Sequence, residues 1–406
     1  KLLNNYARVI RFDSTDKAMS YADDALATAR KLNAEYWIGQ SLYSKGMIYS
    51  KSGNYQQSIQ YFDSTKQIFS KLNKTASLIG CLSYEAEIFK NLGKYSNAID
   101  IFHEVINLSE KTGNIEEEGI AYGDIGNIYG DIEMHREAID NYEKGLKSFR
   151  KLNDTLYMGL VIDNIGYSYN NLKEYSRAKS EYDTAIMFYN KINRSDATAW
   201  AEGNLALVLA NLKKYNEAWA MIKQTIETAK EKKNMKYLTA NNIVAAKIIM
   251  LAADSIRNKE INYKSALQYA ETGLTQAKEI GNIKQQSFAL QFLSEIYEHL
   301  KNYPKAFEMQ KKYISIRDSI SGSNKIQEIA IKDVQFENEK RETVLKTESE
   351  AQIKRQKIIK NTIVYGAAIL LLSSVVLFIF YKRRKDAQTQ QQETELKAEI
   401  SDIEMK

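Results

Sequence analysis

The feature that most constrains the fold of this chain is an internal repeat with a step of 40 residues. Three segments of closely similar sequence begin at Gly46, Gly126 and Gly166. Stepping along the chain from these segments gives one column that is occupied by a ring. Its members are Tyr55, Tyr95, His135, Tyr175, Tyr215, Tyr263 and Tyr303. A fixed period of roughly 20–50 residues is the signature of stacked repeats, so this periodicity decides the architecture.

Two further columns divide each unit into a pair of helices. Three residues after the ring, small side chains let the paired helices approach closely: Ala18, Ser58, Ala98, Ala138, Ala178, Ala218, Ala266 and Ala306. Eighteen residues after the ring, most units have Asn or Gly, which suit a helix end: Asn33, Asn73, Gly113, Asn153, Asn193, Lys233, Gly281 and Ser321. The columns predict an all-α fold of about eight 40-residue helical hairpins over residues 1–322, with the first hairpin cut at its N-terminus and about eight residues inserted at Asp254–Asn262.

The composition fits long helices and leaves little material for catalysis. The chain has 1 Pro, and Pro304 falls in the first turn of a predicted helix, where the missing N–H costs no hydrogen bond. The single cysteine, Cys81, excludes an internal disulfide and any multi-cysteine metal site, and we predict that it is a buried structural thiol. We therefore predict no metal site, no cofactor and no enzymatic activity within these residues.

The charge distribution and the absence of nucleotide-binding motifs limit the kinds of ligand that this chain is expected to bind. The net charge is only +6 over 406 residues, and no region has the basic excess of a nucleic-acid footprint. There is no P-loop, no glycine-rich nucleotide turn and no nucleophile motif. We predict that this chain binds no nucleic acid.

The full repeat pattern resembles the tetratricopeptide-repeat family over about 320 residues. In the second unit it is carried by Gly46, Tyr49, Gly53, Tyr55, Ser58 and Phe62, and in the fifth by Gly166, Tyr169, Tyr175, Ala178, Tyr182 and Ala185. Two departures are a period of 40 residues instead of about 34, and the absence of the usual proline at the repeat end. The resemblance implies a superhelical solenoid with a concave groove for a peptide or protein ligand.

The first helix of several units presents Asn and Asp at two positions seven residues apart, which share one face. The resemblance implies that this face lines the groove, where an amide can both donate to and accept from a peptide backbone. The candidate groove residues are Asn91, Asp124, Asn127, Asp131, Asn164, Tyr167, Asn171, Trp200, Asn204 and Asn211. The alternative is that the polar residues are helix caps or ordinary surface residues, and that the rings of Tyr167 and Trp200 pack in the core.

After the repeats, the sequence predicts a membrane anchor. Residues 361–381 are 21 residues without a charge, a length of roughly 30 Å as a helix, which matches one hydrocarbon core. Membrane lipid is therefore the expected surrounding of residues 361–381, which we predict to be a transmembrane helix. Residues 323–360 predict a charged juxtamembrane helix, in which Lys340 and Thr343 interrupt the coiled-coil register. Residues 382–406 predict the start of another helix.

The order of these segments resembles membrane-bound sensor proteins of Bacteroidetes-type bacteria. That resemblance implies a single-pass protein of the bacterial inner membrane, with a periplasmic solenoid, a cytoplasmic C-terminus and a homodimeric working form. It further implies an output domain after Lys406, either a histidine kinase or a helix-turn-helix regulator. Basic residues flank both sides of the span, so charge alone does not decide the orientation. The alternatives are a membrane-anchored assembly scaffold without signalling output and a membrane-bound DNA-binding regulator.

Overall fold

The computed structural model describes residues 1–11, 14–253, 255, 262–321 and 323–404. Within these ranges the chain forms seventeen helices and no strand, so the all-α prediction is confirmed. Sixteen of the helices pair into eight hairpins: α1 Leu2–Ile10 with α2 Thr15–Lys31, α3 Glu35–Lys51 with α4 Tyr55–Lys71, α5 Thr75–Asn91 with α6 Tyr95–Thr112, α7 Ile115–Asp131 with α8 His135–Leu152, α9 Thr155–Asn171 with α10 Tyr175–Lys191, α11 Ser195–Asn211 with α12 Tyr215–Glu231, α13 Met235–Ala252 with α14 Tyr263–Glu279, and α15 Ile283–His299 with α16 Tyr303–Ser321. The last helix, α17, runs from Ser323 to Glu404.

The ring column marks where the second helix of each hairpin begins. All seven of its members, from Tyr55 to Tyr303, are the first residues of second helices, as the sequence predicts. The insertion predicted at Asp254–Asn262 lies outside the described residues, apart from Ser255 and Asn262.

Most of the hairpin helices are followed within two residues by one in the left-handed conformation, because the chain must turn sharply to start the next helix. Gly53 and Gly93 follow two of the first helices with φ of 76° and 68°, and Lys213 follows another with φ of 63°. The Lys213 N–H donates to the Ala210 carbonyl, and the next N–H donates to that of Leu209, both at 2.9 Å. These bonds satisfy carbonyls that the end of the helix would otherwise leave unpaired.

In the second, fourth and fifth hairpins, rings of the second helix pack directly on glycines of the first helix. A Cβ added to Gly126 would lie 2.6 Å from two ring carbons of Tyr142, and one added to Gly46 would lie 2.8 Å from Phe62. The small-residue column is buried beside these contacts, and Ala138 and Ala178 are 0% exposed. The close approach of the two helices therefore requires both the glycine and the small column.

The hairpins stack so that the first helices form one continuous layer. Each second helix packs against the first helix of the next hairpin, and successive first helices also pack on one another from α1 to α15. We call this layer, formed by the first helix of every hairpin, the inner wall of the solenoid. Cys81 is buried in this stack with Met47, Phe62 and Ile88, as predicted.

The chain divides into two units, Lys1–Asp333 and Val334–Lys406. The second unit contains α17 from Val334 to Glu404, and the whole helix has 82 residues. By length and composition, α17 is the one helix of the described chain that is suited to cross a membrane. The apolar side chains of its uncharged stretch, residues 361–381, are exposed, with Leu370 and Leu372 at 71% and 67%.

The contact between Gly126 and Tyr142 gives the first prediction. The Gly126→Ala variant places a methyl group against the ring, so we expect it to lower the free energy of unfolding by about 1–3 kcal/mol. Gly123→Ala is the matched control on the same helix, because nothing lies within 4 Å of its added Cβ. We expect the control to keep or gain up to about 1 kcal/mol, since alanine favours helix over glycine. Urea unfolding of the full chain in a non-ionic detergent measures both, and equal midpoints for the two variants would contradict the packing described here.

Candidate functional site

All ten candidate groove residues lie on first helices, and therefore on the layer that forms the inner wall. Asn91 is the last residue of α5, and Asp131, Asn171 and Asn211 end α7, α9 and α11. The structure divides the ten into a central polar ladder, a cluster that crosses the groove, and two exposed residues.

The central ladder joins α5, α7 and α9. The ammonium of Lys90 donates to Asp124 Oδ1 at 2.5 Å, and Asn127 Nδ2 donates to the same oxygen at 3.3 Å. Asn127 Oδ1 in turn accepts from the hydroxyl of Tyr142 at 2.9 Å and from Asn164 Nδ2 at 3.2 Å. Side chains of three successive hairpins are thus linked by hydrogen bonds along the inner wall.

The ladder continues from α9 to α11 at two levels. Asn211 Nδ2 donates to Asn170 Oδ1 at 3.1 Å. The other level is centred on Asp163, which is 4% exposed and accepts hydrogen bonds from the side chains of Asn204 and Trp200. The Trp200 ring also lies 5.0 Å from the ring of Tyr237 on α13. Neither Asp163 nor Asn170 was among the predicted site residues, although both lie beside residues that were.

Burial raises the pKa of Asp163 to about 7, and the hydrogen bonds from Asn204 and Trp200 only partly oppose this rise. One carboxylate oxygen, Oδ1, has no hydrogen-bond partner. The fold therefore favours the protonated acid, because an ionised carboxylate without full hydrogen bonding is costly in a buried place.

Two of the predicted residues stand apart from the ladder. Asn91 and Asn171 are exposed at the ends of their helices. The Nδ2 of Asn171 donates to the carbonyl of Tyr167 at 2.8 Å, a bond to the preceding turn of its own helix. The structure does not bring these two side chains together with the other members.

The cross-groove cluster contains the remaining two predicted residues, Asp131 and Tyr167. Lys284, in the first turn of α15, donates to Asp131 Oδ1 at 2.6 Å, and its ammonium lies 5.3 Å from the centre of the Tyr167 ring. The Tyr167 ring also lies edge-on to His135 at 6.0 Å. Lys284 is 153 positions from Asp131, so no local sequence signal marks this contact.

His135 is neutral in this cluster. Burial lowers the pKa of its imidazole, and the Lys284 ammonium lowers it further, to about 4. Lys332 of α17 forms another long-range ion pair, with Asp100 of α6, from which it is separated by 232 positions. Basic side chains from the C-terminal end of this unit thus contact carboxylates of the third and fourth hairpins.

The chemistry available on these surfaces is hydrogen bonding and charge pairing. Among the described residues, no group of three or more His, Cys, Asp or Glu side chains is placed to hold a metal ion. The thiol of Cys81 is buried, and desolvation raises its pKa well above the usual range, so it does not form the reactive thiolate at neutral pH. What the inner wall offers is a row of amide, carboxylate and aromatic groups.

Two protein-family models match parts of the repeat region. The tetratricopeptide-repeat pattern matches residues 39–64 and 120–151, and the pattern of anaphase-promoting complex subunit 5 matches residues 176–250. No curated protein sequence matches the chain.

Several solved structures share the fold. The apo form of the quorum sensor NprR from B. thuringiensis has a TM-score of 0.58 and 16% identity, with 78% of this chain and 86% of NprR covered. Aspartyl phosphate phosphatase F from Bacillus subtilis has a TM-score of 0.60 and 14% identity, with 75% and 77% covered. A Rap protein complexed with competence and sporulation factor has a TM-score of 0.51 and 16% identity, with 74% and 80% covered. At these identities the likeness shows a tetratricopeptide-like solenoid fold.

The acid at the centre of the ladder gives the second prediction. Because the pKa of Asp163 is about 7 in the fold against 3.8 for a free side chain, unfolding releases a proton between these values. Stability should therefore fall as pH rises from about 4 to about 7 and level off above, by about 1.4 kcal/mol for each pH unit at most. We expect Asp163→Asn to remove this fall. Thermal melts between pH 4 and 8 measure how stability changes with pH in each variant. Asp140→Asn, at an exposed position of α8, is the control. A melting curve that depends on pH equally in the Asp163→Asn variant and the parent would refute the assignment.

Proposed function

We propose that this chain is the sensor module of a signalling protein and binds a peptide or protein along its inner wall. The observation that carries the proposal is the polar ladder, in which Asp124, Asn127 and Asn164 present amide and carboxylate groups from successive first helices. A peptide in extended conformation offers alternating N–H and C=O groups, and a row of amides can match both.

The ladder has capacity beyond the bonds it makes within the protein. An Asn side chain carries two N–H donors and an oxygen with two lone pairs, so the bond from Asn164 to Asn127 uses only part of it. Asn164, Asn204 and Asn211 are half-buried rather than enclosed, which leaves one side of each accessible from the groove. The bonds between repeats hold these amides in fixed positions, and such pre-organisation reduces the cost of ordering them on binding.

The similar structures support a peptide over other ligands. NprR is a quorum sensor, and it has also been solved in complex with its cognate peptide NprX. The Rap protein is complexed with competence and sporulation factor. By analogy with these similar structures, we propose that the ten candidate groove residues contact the ligand.

We further propose how binding is passed on. In this proposal residues 1–322 form a periplasmic solenoid, 361–381 cross the bacterial inner membrane once, and 382–406 enter the cytoplasm. Residues 323–360 connect the solenoid to the span within one continuous helix, α17, which supports transmission by rotation or axial shift in a homodimer. An output domain beyond Lys406 would receive the signal. A ligand shifts such an equilibrium only by its differential affinity for the two states.

The test of ligand binding uses a displayed library of linear peptides, selected on the full chain in a non-ionic detergent. We expect the selected peptides to bind the quadruple variant Asn164→Ala, Asn171→Ala, Asn204→Ala and Asn211→Ala at least about 30-fold more weakly, since each lost hydrogen bond costs about 0.5–1.5 kcal/mol. The matched control replaces four exposed residues of second helices by alanine, namely Asn97, Asp140, Ser180 and Gln224.

Circular dichroism establishes that both quadruple variants are folded before their affinities are compared. Unchanged peptide affinity in the folded groove variant would overturn the proposed site. An equal loss of affinity in the control variant would do the same, because the effect would then not depend on the inner wall.

A further inference from the structure

The contact of Lys284 with Asp131 joins two hairpins that are far apart along the solenoid. Lys284 belongs to the eighth hairpin and Asp131 to the fourth, with an Nζ to Oδ1 distance of 2.6 Å. The superhelix must curve enough to bring these hairpins together across the groove. The contact is therefore a property of the tertiary fold and lies within the unit Lys1–Asp333.

The groups around the Lys284 ammonium come from one side of the groove only. Asp131 ends α7, His135 begins α8 and Tyr167 lies on α9, all within the fourth and fifth hairpins. Tyr95, which begins α6, is 7% exposed and close enough to influence this cluster electrostatically, since Asp131 helps to raise its pKa after burial. We call Tyr95, Asp131, His135 and Tyr167 the ammonium pocket. Its walls belong to neighbouring hairpins and do not depend on the eighth.

The chemistry of this pocket suits a cation with N–H donors, and the contacts of Lys284 show that a primary ammonium fits it. A carboxylate forms a charge-assisted hydrogen bond with an N–H of the cation, and an aromatic face attracts the same positive charge. The Tyr167 ring is 5.3 Å from the Lys284 nitrogen, within the usual range for this attraction. His135 is 9% exposed, with no hydrogen-bond partner on Nδ1, and as a neutral ring it does not repel a cation.

We propose that the ammonium pocket is a binding site for the N-terminal amine or a lysine side chain of the ligand, and that Lys284 is an intramolecular stand-in for that group. This inference rests on the proposed function and specifies the ligand: a peptide with a free primary amine in the part that lies against α7 and α9.

Lys284 is suited to be displaced. Its side chain is 46% exposed and that of Asp131 is 26% exposed, and ion pairs with this much solvent contact contribute little net stability. A peptide amine that also gains hydrogen bonds from the polar ladder can therefore compete with it. The separate ion pair of Lys332 with Asp100 means that the curvature of the solenoid does not depend on Lys284 alone. Occupancy of the pocket, rather than overall shape, is the quantity to measure.

The probe is n-butylammonium, which has the length and charge of a lysine side chain, with n-butanol as its uncharged counterpart. Isothermal titration on the full chain in a non-ionic detergent compares the parent with Lys284→Ala. We expect n-butylammonium to bind Lys284→Ala about two- to sixfold more tightly than the parent, because a tethered competitor worth about 0–1 kcal/mol has been removed. Binding of n-butanol should be absent from both. Lys264→Ala, which removes an exposed lysine of α14, should behave as the parent.

The double variant Lys284→Ala/Asp131→Asn should lose the n-butylammonium site. If that variant is unfolded, Lys284→Ala/Tyr167→Leu tests the same pocket through its aromatic wall. Equal binding of n-butylammonium to the parent and to Lys284→Ala would overturn the inference, and so would binding that persists without the Asp131 charge.

The probe is not a peptide, so the two proposals fail separately. If the quadruple groove variant loses peptide affinity and no n-butylammonium site is found, only the ammonium pocket is overturned. If n-butylammonium binds as expected and no peptide depends on the ladder, the pocket is supported and the proposed function is overturned.

Discussion

The structure depends on a constraint that applies to every hairpin alike: a single pair of helices cannot bury its own apolar face. In three hairpins rings of the second helix pack on glycines of the first helix, as Tyr142 does on Gly126, and each hairpin packs further against the next one. Stability is then a sum of terms between neighbours, and the chain extends as a solenoid. The inner wall follows directly, because stacking places every first helix in one layer.

The polar ladder is a second consequence of that stacking. Asn164 lies one 40-residue step after Asp124, and the stacking that buries the rings also brings its Nδ2 within 3.2 Å of Asn127 Oδ1 on the preceding first helix. Such a ladder both fixes the register between hairpins and presents a regular row of hydrogen-bonding groups to the groove. The same side chains therefore connect the packing of the solenoid to its proposed function.

The sequence was sufficient to predict features that depend on local spacing. The ring column placed the starts of seven second helices, and the small column identified Ala138 and Ala178 as buried. Features that depend on curvature were not predictable in this way. Lys284 reaches Asp131 across 153 positions, and the buried acid Asp163 lies one residue away from the predicted Asn164. One residue along a helix changes the direction of a side chain by about 100°, so small differences in packing decide which residue faces the groove.

The most direct test of the binding proposal is an experimental structure of the full chain with a library-selected peptide bound. We predict that the peptide backbone lies along the inner wall, with hydrogen bonds to the side chains of Asn164 and Asn204. A peptide bound to the outer second helices, with the inner wall unoccupied, would contradict the proposed function.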